Sequence, residues 1–313
     1  MAWPLLEELI QHSDLYKVKA ERRRNEAIVV DAGVAVEGSL QAGRIITEIS
    51  MGGLGIARIS SRKYNGLQIQ SIFVWTDNPA ISALGCQLAG WRVNEDGYFA
   101  IGSGPARALA LKPKDIYRRI EYKDRNDRAV VVLETEKAPP SKIGDQIARD
   151  CKVQIDRLAI ILVPTTSSAG VTQISGRVVE TGLHKLVELG LDPRIVRYAW
   201  GCAPIPPVSN DFAIAMGRTN DAILYGGTSY YVIESGDDRE LETIIEKASS
   251  SASKVYGKTF SEVFKEAKFD FYKVDPAFFA PASVVISNLK TGNSFKSGEI
   301  NFDILQKSFG MSN

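Results

Sequence analysis

The chain has 313 residues, 44% of them hydrophobic and 24% charged, with 26 glycines. That balance excludes collagen, coiled coil and intrinsic disorder, and the length suits two domains whose cores need neither disulfide nor metal. Lys+Arg is 38 against Asp+Glu 37, a net charge of +1, so no nucleic-acid partner is expected.

The opening segment MAWPLLEELIQHSDLYKVKAERRR carries charge throughout and has no apolar core before a small-residue cleavage site. It reads as one amphipathic helix rather than a signal peptide, with Arg22-Arg23-Arg24 at the negative end of its dipole. No apolar run approaches ~18 residues, so a soluble, cytoplasmic protein without a membrane partner is expected. Ala27 to Asp31 reads as a strand and Leu40 to Ile49 as a helix, broken by Met51-Gly52-Gly53-Leu54-Gly55. Leu67 to Trp75 is a strong strand signal. Asn78-Pro79 then supplies an N-cap and first-turn proline for a helix to about Ala89. Tyr98 to Ile101 leads into a glycine loop, and Ala129 to Leu133 is another strand. Glu136 to Lys142 has the composition of a linker, which places a domain boundary near Pro139-Pro140. The expected domains are therefore 1–140 and 141–313, the C-terminal segment being a candidate to rejoin the first.

In the second half, Leu158 to Val163 reads as a buried strand. It is followed by the Ser/Thr/Gly segment 164–170 and one helix from about Val171 to Leu189. Tyr198 to Pro207 is extended because its prolines exclude helix. Asp211 to Leu224 reads as helix, Ser229 to Ile233 as strand and Asp237 to Ser251 as helix. Lys290-Thr291-Gly292-Asn293 joins a hairpin. Single strands, single helices and hairpins together predict a mixed α/β (α+β) fold.

Cys86, Cys151 and Cys202 are isolated, and His12 and His184 are the two histidines. A four-ligand zinc site cannot be assembled from them, so no metal is expected and the cysteines read as reduced thiols. There is no phosphate-binding P-loop, no His-Glu-x-x-His and no Gly-x-Ser-x-Gly elbow. Gly102-Ser103-Gly104-Pro105-Ala106-Arg107 lets a ligand approach the backbone and adds a cation, or is an ordinary strand-to-helix turn. It is no dinucleotide fingerprint, since Arg107 takes the third glycine's place. Thr165 to Glu180 is more informative, because it follows a buried strand where open α/β sheets bind ligands. Arg177 and Glu180 share a helical face three residues apart. On the surface they would be a weak ion pair; at a pocket mouth, Arg177 would orient a carboxylate able to deprotonate water. Spacing alone leaves both open.

Five collinear blocks carry a resemblance: Trp75 to Pro79; Gly102 to Ala108; Thr166-Ser167-Ser168-Ala169-Gly170-Val171-Thr172-Gln173-Ile174-Ser175-Gly176-Arg177; Trp200 to Pro207; and Asp221 to Gly227. Together they resemble methenyltetrahydromethanopterin cyclohydrolase. The resemblance implies reversible hydrolysis of 5,10-methenyl-tetrahydromethanopterin to 5-formyl-tetrahydromethanopterin, without metal or redox cofactor. It also implies a homotrimer of subunits with two α/β domains around a deep cleft. The family's catalytic glutamate and nearby arginine fall on Glu180 and Arg177. Candidate substrate contacts are Thr166, Ser167, Ser168, Gly170 and Gln173 for the pterin, with Gly102, Ser103, Gly104 and Arg107 for an anionic tail. Trp75, Trp200 and Tyr225 are stacking candidates, although core packing is the default for aromatics. Two other readings stand beside this one. A non-catalytic pterin- or phosphate-binding protein would not depend on Glu180, and an NAD-linked oxidoreductase would need the glycine fingerprint that is missing.

Overall fold

The computed structural model describes residues 1–22, 26–95, 97–270 and 273–311. Its strands are β1 (Lys19–Arg22), β2 (Ile28–Asp31), β3 (Gly55–Tyr64), β4 (Leu67–Thr76), β5 (Trp91–Glu95), β6 (Tyr98–Ser103), β7 (Ala129–Glu134), β8 (Leu158–Leu162), β9 (Val196–Pro204), β10 (Thr228–Ile233), β11 (Ser283–Asn288) and β12 (Ser294–Gly298). Its α-helices are α1 (Ala2–Gln11), α2 (Ser13–Tyr16), α3 (Leu40–Ser50), α4 (Ala106–Ala110), α5 (Lys114–Ile120), α6 (Ser141–Cys151), α7 (Ser168–Ser175), α8 (Val178–Glu188), α9 (Phe212–Gly226), α10 (Asp238–Ile245), α11 (Phe260–Glu266) and α12 (Phe302–Phe309). A π-helix covers Ala80–Gln87. The chain folds into two compact units, one of residues 1–56 and 80–173, the other of residues 57–79 and 174–313. Each carries a mixed six-stranded sheet, so the expected α/β class with two sheet-bearing domains is what the chain adopts.

In the first unit the strand order is β1-β2-β8-β7-β6-β5. The central trio β2, β8 and β7 is parallel. Every residue of β8, and all of β7 except Glu134, is buried, as strands covered on both faces require. On one face Leu6 and Leu9 of α1 and Ile45, Ile46 and Ile49 of α3 pack on Val30, Val132 and Ile161. On the other, Ile143 and Ile147 of α6 pack on Val131, Leu133 and Ile160.

This layering corrects the expected boundary. Parallel neighbours need a crossover, and Pro139-Pro140 begins the one that runs from β7 through α6 to β8. A cut at residue 140 would divide a single sheet. The N-terminal segment also departs from one continuous helix: α1 ends at Gln11, α2 is a single turn, and Arg22 closes β1. Arg23 and Arg24 lie outside the described residues.

In the second unit the order is β12-β11-β10-β9-β4-β3, with β10 and β11 parallel, β9 antiparallel to both β10 and β4, and β12 antiparallel to β11. The β3–β4 hairpin turns at Asn65 and Gly66, both with positive φ, a two-residue Asn-Gly signal that the sequence reading passed over. It belongs here because β4 pairs along β9, Trp75 facing Trp200. The C-terminal segment stays in this unit, since β12 pairs with β11 and Leu305 and Phe309 of α12 join the cluster of Tyr225, Phe260 and Phe278. It does not rejoin the first domain.

Asp221 of α9 ties these helices together. Its carboxylate accepts the N–H of Phe260 at the start of α11 (2.8 Å) and the hydroxyl of Ser308 in α12 (2.6 Å). Burial raises its pKa to about 7, against those two hydrogen bonds that lower it. The folded protein therefore binds more protons than the unfolded chain between about pH 4 and pH 7, and stability falls as pH rises through that window. Melting temperatures across it should decline in the wild type and be flatter in Asp221→Asn. Parallel profiles would show that Asp221 does not titrate there.

Candidate active site

The segment expected to form one helix from Val171 to Leu189 is two helices. α7 ends at Ser175, and α8 begins after Arg177, whose backbone has φ −85° and ψ 3°. The Arg177 carbonyl accepts both the N–H and the hydroxyl of Thr181. Glu180 consequently sits in the first turn of α8, where the positive end of the dipole favours a carboxylate. Glu180 is 6% exposed and Arg177 7%. A solvated surface pair would be open to water, and these residues are not.

Three glycines set where α8 starts. A Cβ on Gly182 would overlap the Tyr231 hydroxyl and crowd Ser229, both on β10. One on Gly201 of β9 would come within 2.9 Å of the Val178 side chain, and one on Gly227 within 3.1 Å of it. Their absence lets the first turn of α8 lie directly on the β9–β10 surface, where Tyr231 donates a hydrogen bond to the Val179 carbonyl (2.7 Å). Burial and the Glu180 charge both hold the Tyr231 phenol protonated. At roughly 100° per residue, Val178, Val179 and Gly182 face the sheet, while Arg177, Glu180 and His184 project from the opposite side. His184 is half-buried.

The remaining pterin candidates lie in the first unit, on the segment after β8. Ser167 caps α7 by accepting the Gly170 N–H (2.9 Å). Gly170 is required by packing, since a Cβ there would overlap the Pro164 carbonyl. Thr165 and Gln173 are buried, which leaves Thr166 and Ser168 as the partly exposed hydroxyls of the loop. Beside them, at the end of β2, Asp31 gathers the N–H groups of Gly33, Val34 and Ala35 at 2.9, 2.7 and 2.8 Å. Glu134, at the end of β7, accepts the Thr165 hydroxyl.

The glycine loop is elsewhere. β6 runs antiparallel to β7, with Ile101 opposite Glu134 and Ser103 opposite Val132, so the chain after Ser103 heads towards the amino end of β7. Gly104, with φ +97°, lies against Val130. The two loops thus occupy opposite ends of one sheet. Gly102 and Ser103 are buried, and Arg107 is fully buried, with its guanidinium donating to the carbonyls of Leu84, Gly85, Cys86 and Lys112. Arg107 holds the carboxyl end of the π-helix, where aligned carbonyls favour a cation. The expectation that Gly102, Ser103, Gly104 and Arg107 bind an anionic tail is therefore corrected to a structural role.

The aromatics divide. Tyr225 is core and donates to the Lys258 carbonyl. Trp75 and Trp200 are 40% and 44% exposed, in a cross-strand row in which Trp200 stacks on Tyr230 and Arg58 lies over Trp75. Core packing, the default for both tryptophans, does not hold. Among the described residues no helix is long and apolar enough to cross a membrane, and no three His, Cys, Asp or Glu side chains converge as a metal site. The three cysteines are buried and unpaired.

A family model described as Cyclohydrolase (MCH) matches residues 1–309. The chain belongs to that family. The methenyltetrahydromethanopterin cyclohydrolase of Methanothermobacter marburgensis is 46% identical over 313 residues, covering 98% of this chain and 97% of the relative. That of Methanocella arvoryzae is 45% identical, covering 99% and 97%. The enzyme of the same name from Methanocaldococcus jannaschii is 43% identical, again covering 99% and 97%. Matches of this coverage span both units.

Two substitutions test this geometry. Gly182→Ala should push α8 off the sheet, costing about 1–3 kcal/mol and lowering turnover with it. Turnover and melting temperature both unchanged would mean that the glycine contact does not set Glu180. Arg107→Ala leaves several buried carbonyls without donors and should cost at least ~2 kcal/mol. A raised KM with an unaltered melting temperature would restore Arg107 to the substrate.

Proposed function

We propose that this protein is a cyclohydrolase that reversibly hydrolyses 5,10-methenyl-tetrahydromethanopterin to 5-formyl-tetrahydromethanopterin. The whole-chain family match supports the reaction, and the burial of Arg177 and Glu180 at the start of α8 supports the residues that carry it. The methenyl bridge is a cationic, amidinium-like carbon, already electrophilic, so the chemistry requires no electron transfer and no Lewis acid. What it requires is an oriented water and somewhere for its proton to go.

Glu180 accepts that proton as the water oxygen bonds to the bridge carbon, giving a neutral carbinolamine-type intermediate. Collapse breaks the bond from that carbon to N10 as Glu180 returns its proton to N10; the hydroxyl gives up its own proton, which leaves through the Glu180 carboxylate to solvent, and the formyl group stays on N5. Arg177, on the same side of α8, orients the carboxylate through its planar fork. Thr166 and Ser168 supply polar contacts to the pterin. Ser167, Gly170 and Gln173 shape the loop that presents those hydroxyls. The active assembly in this reading is a cytoplasmic homotrimer without cofactor; the family resemblance supports it, and near-neutral charge does not oppose self-association. A sedimentation mass of one chain at micromolar concentration would contradict the trimer.

Glu180→Gln is the decisive variant. It keeps size and hydrogen bonding but cannot take the proton, so substrate binding and melting temperature should stay near wild type. Turnover, followed as loss of methenyl absorbance, should fall roughly 10²–10⁴-fold. Arg177→Ala combined with it should add less than the separate losses, because the two act as a unit. Near-wild-type turnover in Glu180→Gln would favour a pterin-binding protein whose hydrolysis does not use this residue.

A further inference from the structure

We propose that His184 is the relay that carries the product proton of hydrolysis from Glu180 to bulk water. The inference rests on the cyclohydrolase reading and deepens it by naming how the proposed base is reset between turnovers.

The proton count sets the need. The methenyl compound is a cation and its formyl product is one charge lower, so hydrolysis consumes one water and releases one proton. Of the two water protons, one returns from Glu180 to N10 and the other is left on the Glu180 carboxylate. That carboxylate must lose its proton before a second water can be activated. At 6% exposure, Glu180 has little contact with the solvent that would take it.

The helix supplies a path. Glu180, His184 and Glu188 succeed one another four residues apart in α8, and at roughly 100° per residue they form one stripe. Along it burial falls step by step: Glu180 is buried, His184 half-buried and Glu188 exposed. Side chains four apart have Cβ atoms about 5–6 Å from one another, close enough for transfer directly or through one water. Helical side chains lean toward the amino end, which aims position 184 at the turn that carries Glu180. The opposite side of α8 is closed to this traffic, since Val178, Val179 and Gly182 are pressed against β9 and β10.

Chemistry singles out the middle residue. An imidazole can take a proton on one ring nitrogen and give one from the other, and histidine ordinarily titrates near neutral pH. Among the described residues no hydrogen bond or ion pair engages the His184 ring. His12, the other histidine, packs edge-on against Tyr16 in the N-terminal segment. In hydrolysis His184 accepts the proton from Glu180, which regenerates the carboxylate, and then gives a proton to water. In the reverse reaction the same transfers run backward.

Single and repeated turnover separate the relay from the base. With full-length enzyme in excess, one turnover needs no reset, so His184→Ala should lose methenyl absorbance at the wild-type rate, whereas Glu180→Gln should not. With substrate in excess and little buffer, kcat of His184→Ala should fall at least ~10-fold, short of the roughly 10²–10⁴-fold loss expected from removing the base itself. Added imidazole, a small proton carrier, should restore that kcat and leave the wild type unchanged. His184→Gln, which keeps a polar side chain but cannot relay a proton, should show the same loss at an unaltered melting temperature. An undiminished kcat in dilute buffer overturns the proposal. So does a slowed single turnover, or a loss that imidazole does not restore, because His184 would then only support the helix. Single turnover of the wild type and its loss in Glu180→Gln test the cyclohydrolase reading itself. Failure of that reading is therefore distinguishable from failure of the relay.

Discussion

The close approach of α8 to the β9–β10 surface is the constraint on which the chemistry depends. A carboxylate and a guanidinium are both costly to bury, and a short first turn gives little room to adjust them. Gly182, Gly201 and Gly227 remove three side chains from one contact, so Val178 and Val179 seat against backbone. The Tyr231 hydroxyl then pins the Val179 carbonyl. With the sheet-facing side of the helix fixed this tightly, the direction of Glu180 follows from helical geometry. The helix start supplies compensation as well, because its exposed N–H dipoles favour the carboxylate at that position. One packing event therefore fixes the location, orientation and electrostatic environment of the proposed base.

The first unit applies the same logic at its strand ends. Its parallel strands end in polar residues that are each assigned a donor: Asp31 holds its own loop, Ser167 caps α7, and Glu134 takes the Thr165 hydroxyl. Hydroxyls and carboxylates at strand ends are inexpensive to keep half-exposed, and they become selective once their rotamers are locked. At the other end of the sheet the same residue types do different work. Arg107 lies in a glycine-rich loop that looks like an anion nest, yet its donors are turned inward onto the π-helix carbonyls. Glycine there permits close backbone packing between β6 and β7 rather than approach of a ligand.

Periodicity carried much of the fold. β2, α3, β4, β7, β8, β9, α9, β10 and the β11–β12 hairpin fall where alternation, prolines and turn residues place them. What periodicity could not convey was partnership. β3 and β4 precede residue 80 but join the second unit's sheet through β4, which pairs along β9, and long-range register leaves no trace in local pattern. The Pro139-Pro140 stretch reads as a linker because crossover connections share its composition. The break between α7 and α8 was hidden too, since Gly176 is tolerated within a helical pattern and neither flank has a proline. In the proposed site, Arg177 and Glu180 are named by spacing and family resemblance, and the structure adds their burial.

Burial is the quantity that turns these residue types into roles. Arg107 and Arg177 are both nearly inaccessible cations, at 0% and 7% exposure, and sequence context made each a ligand-binding candidate. Arg107 is surrounded by carbonyls that satisfy its donors, so removing it should disturb stability before chemistry. Arg177 instead shares the outward side of α8 with a carboxylate three residues on, and their common burial needs a reason beyond folding. Replacing a buried ion pair with apolar side chains is often neutral or stabilising, so such a pair is weak evidence for stability. In the proposed reading, two charged groups buried at a helix start fixed by three glycines serve the proton that hydrolysis must move.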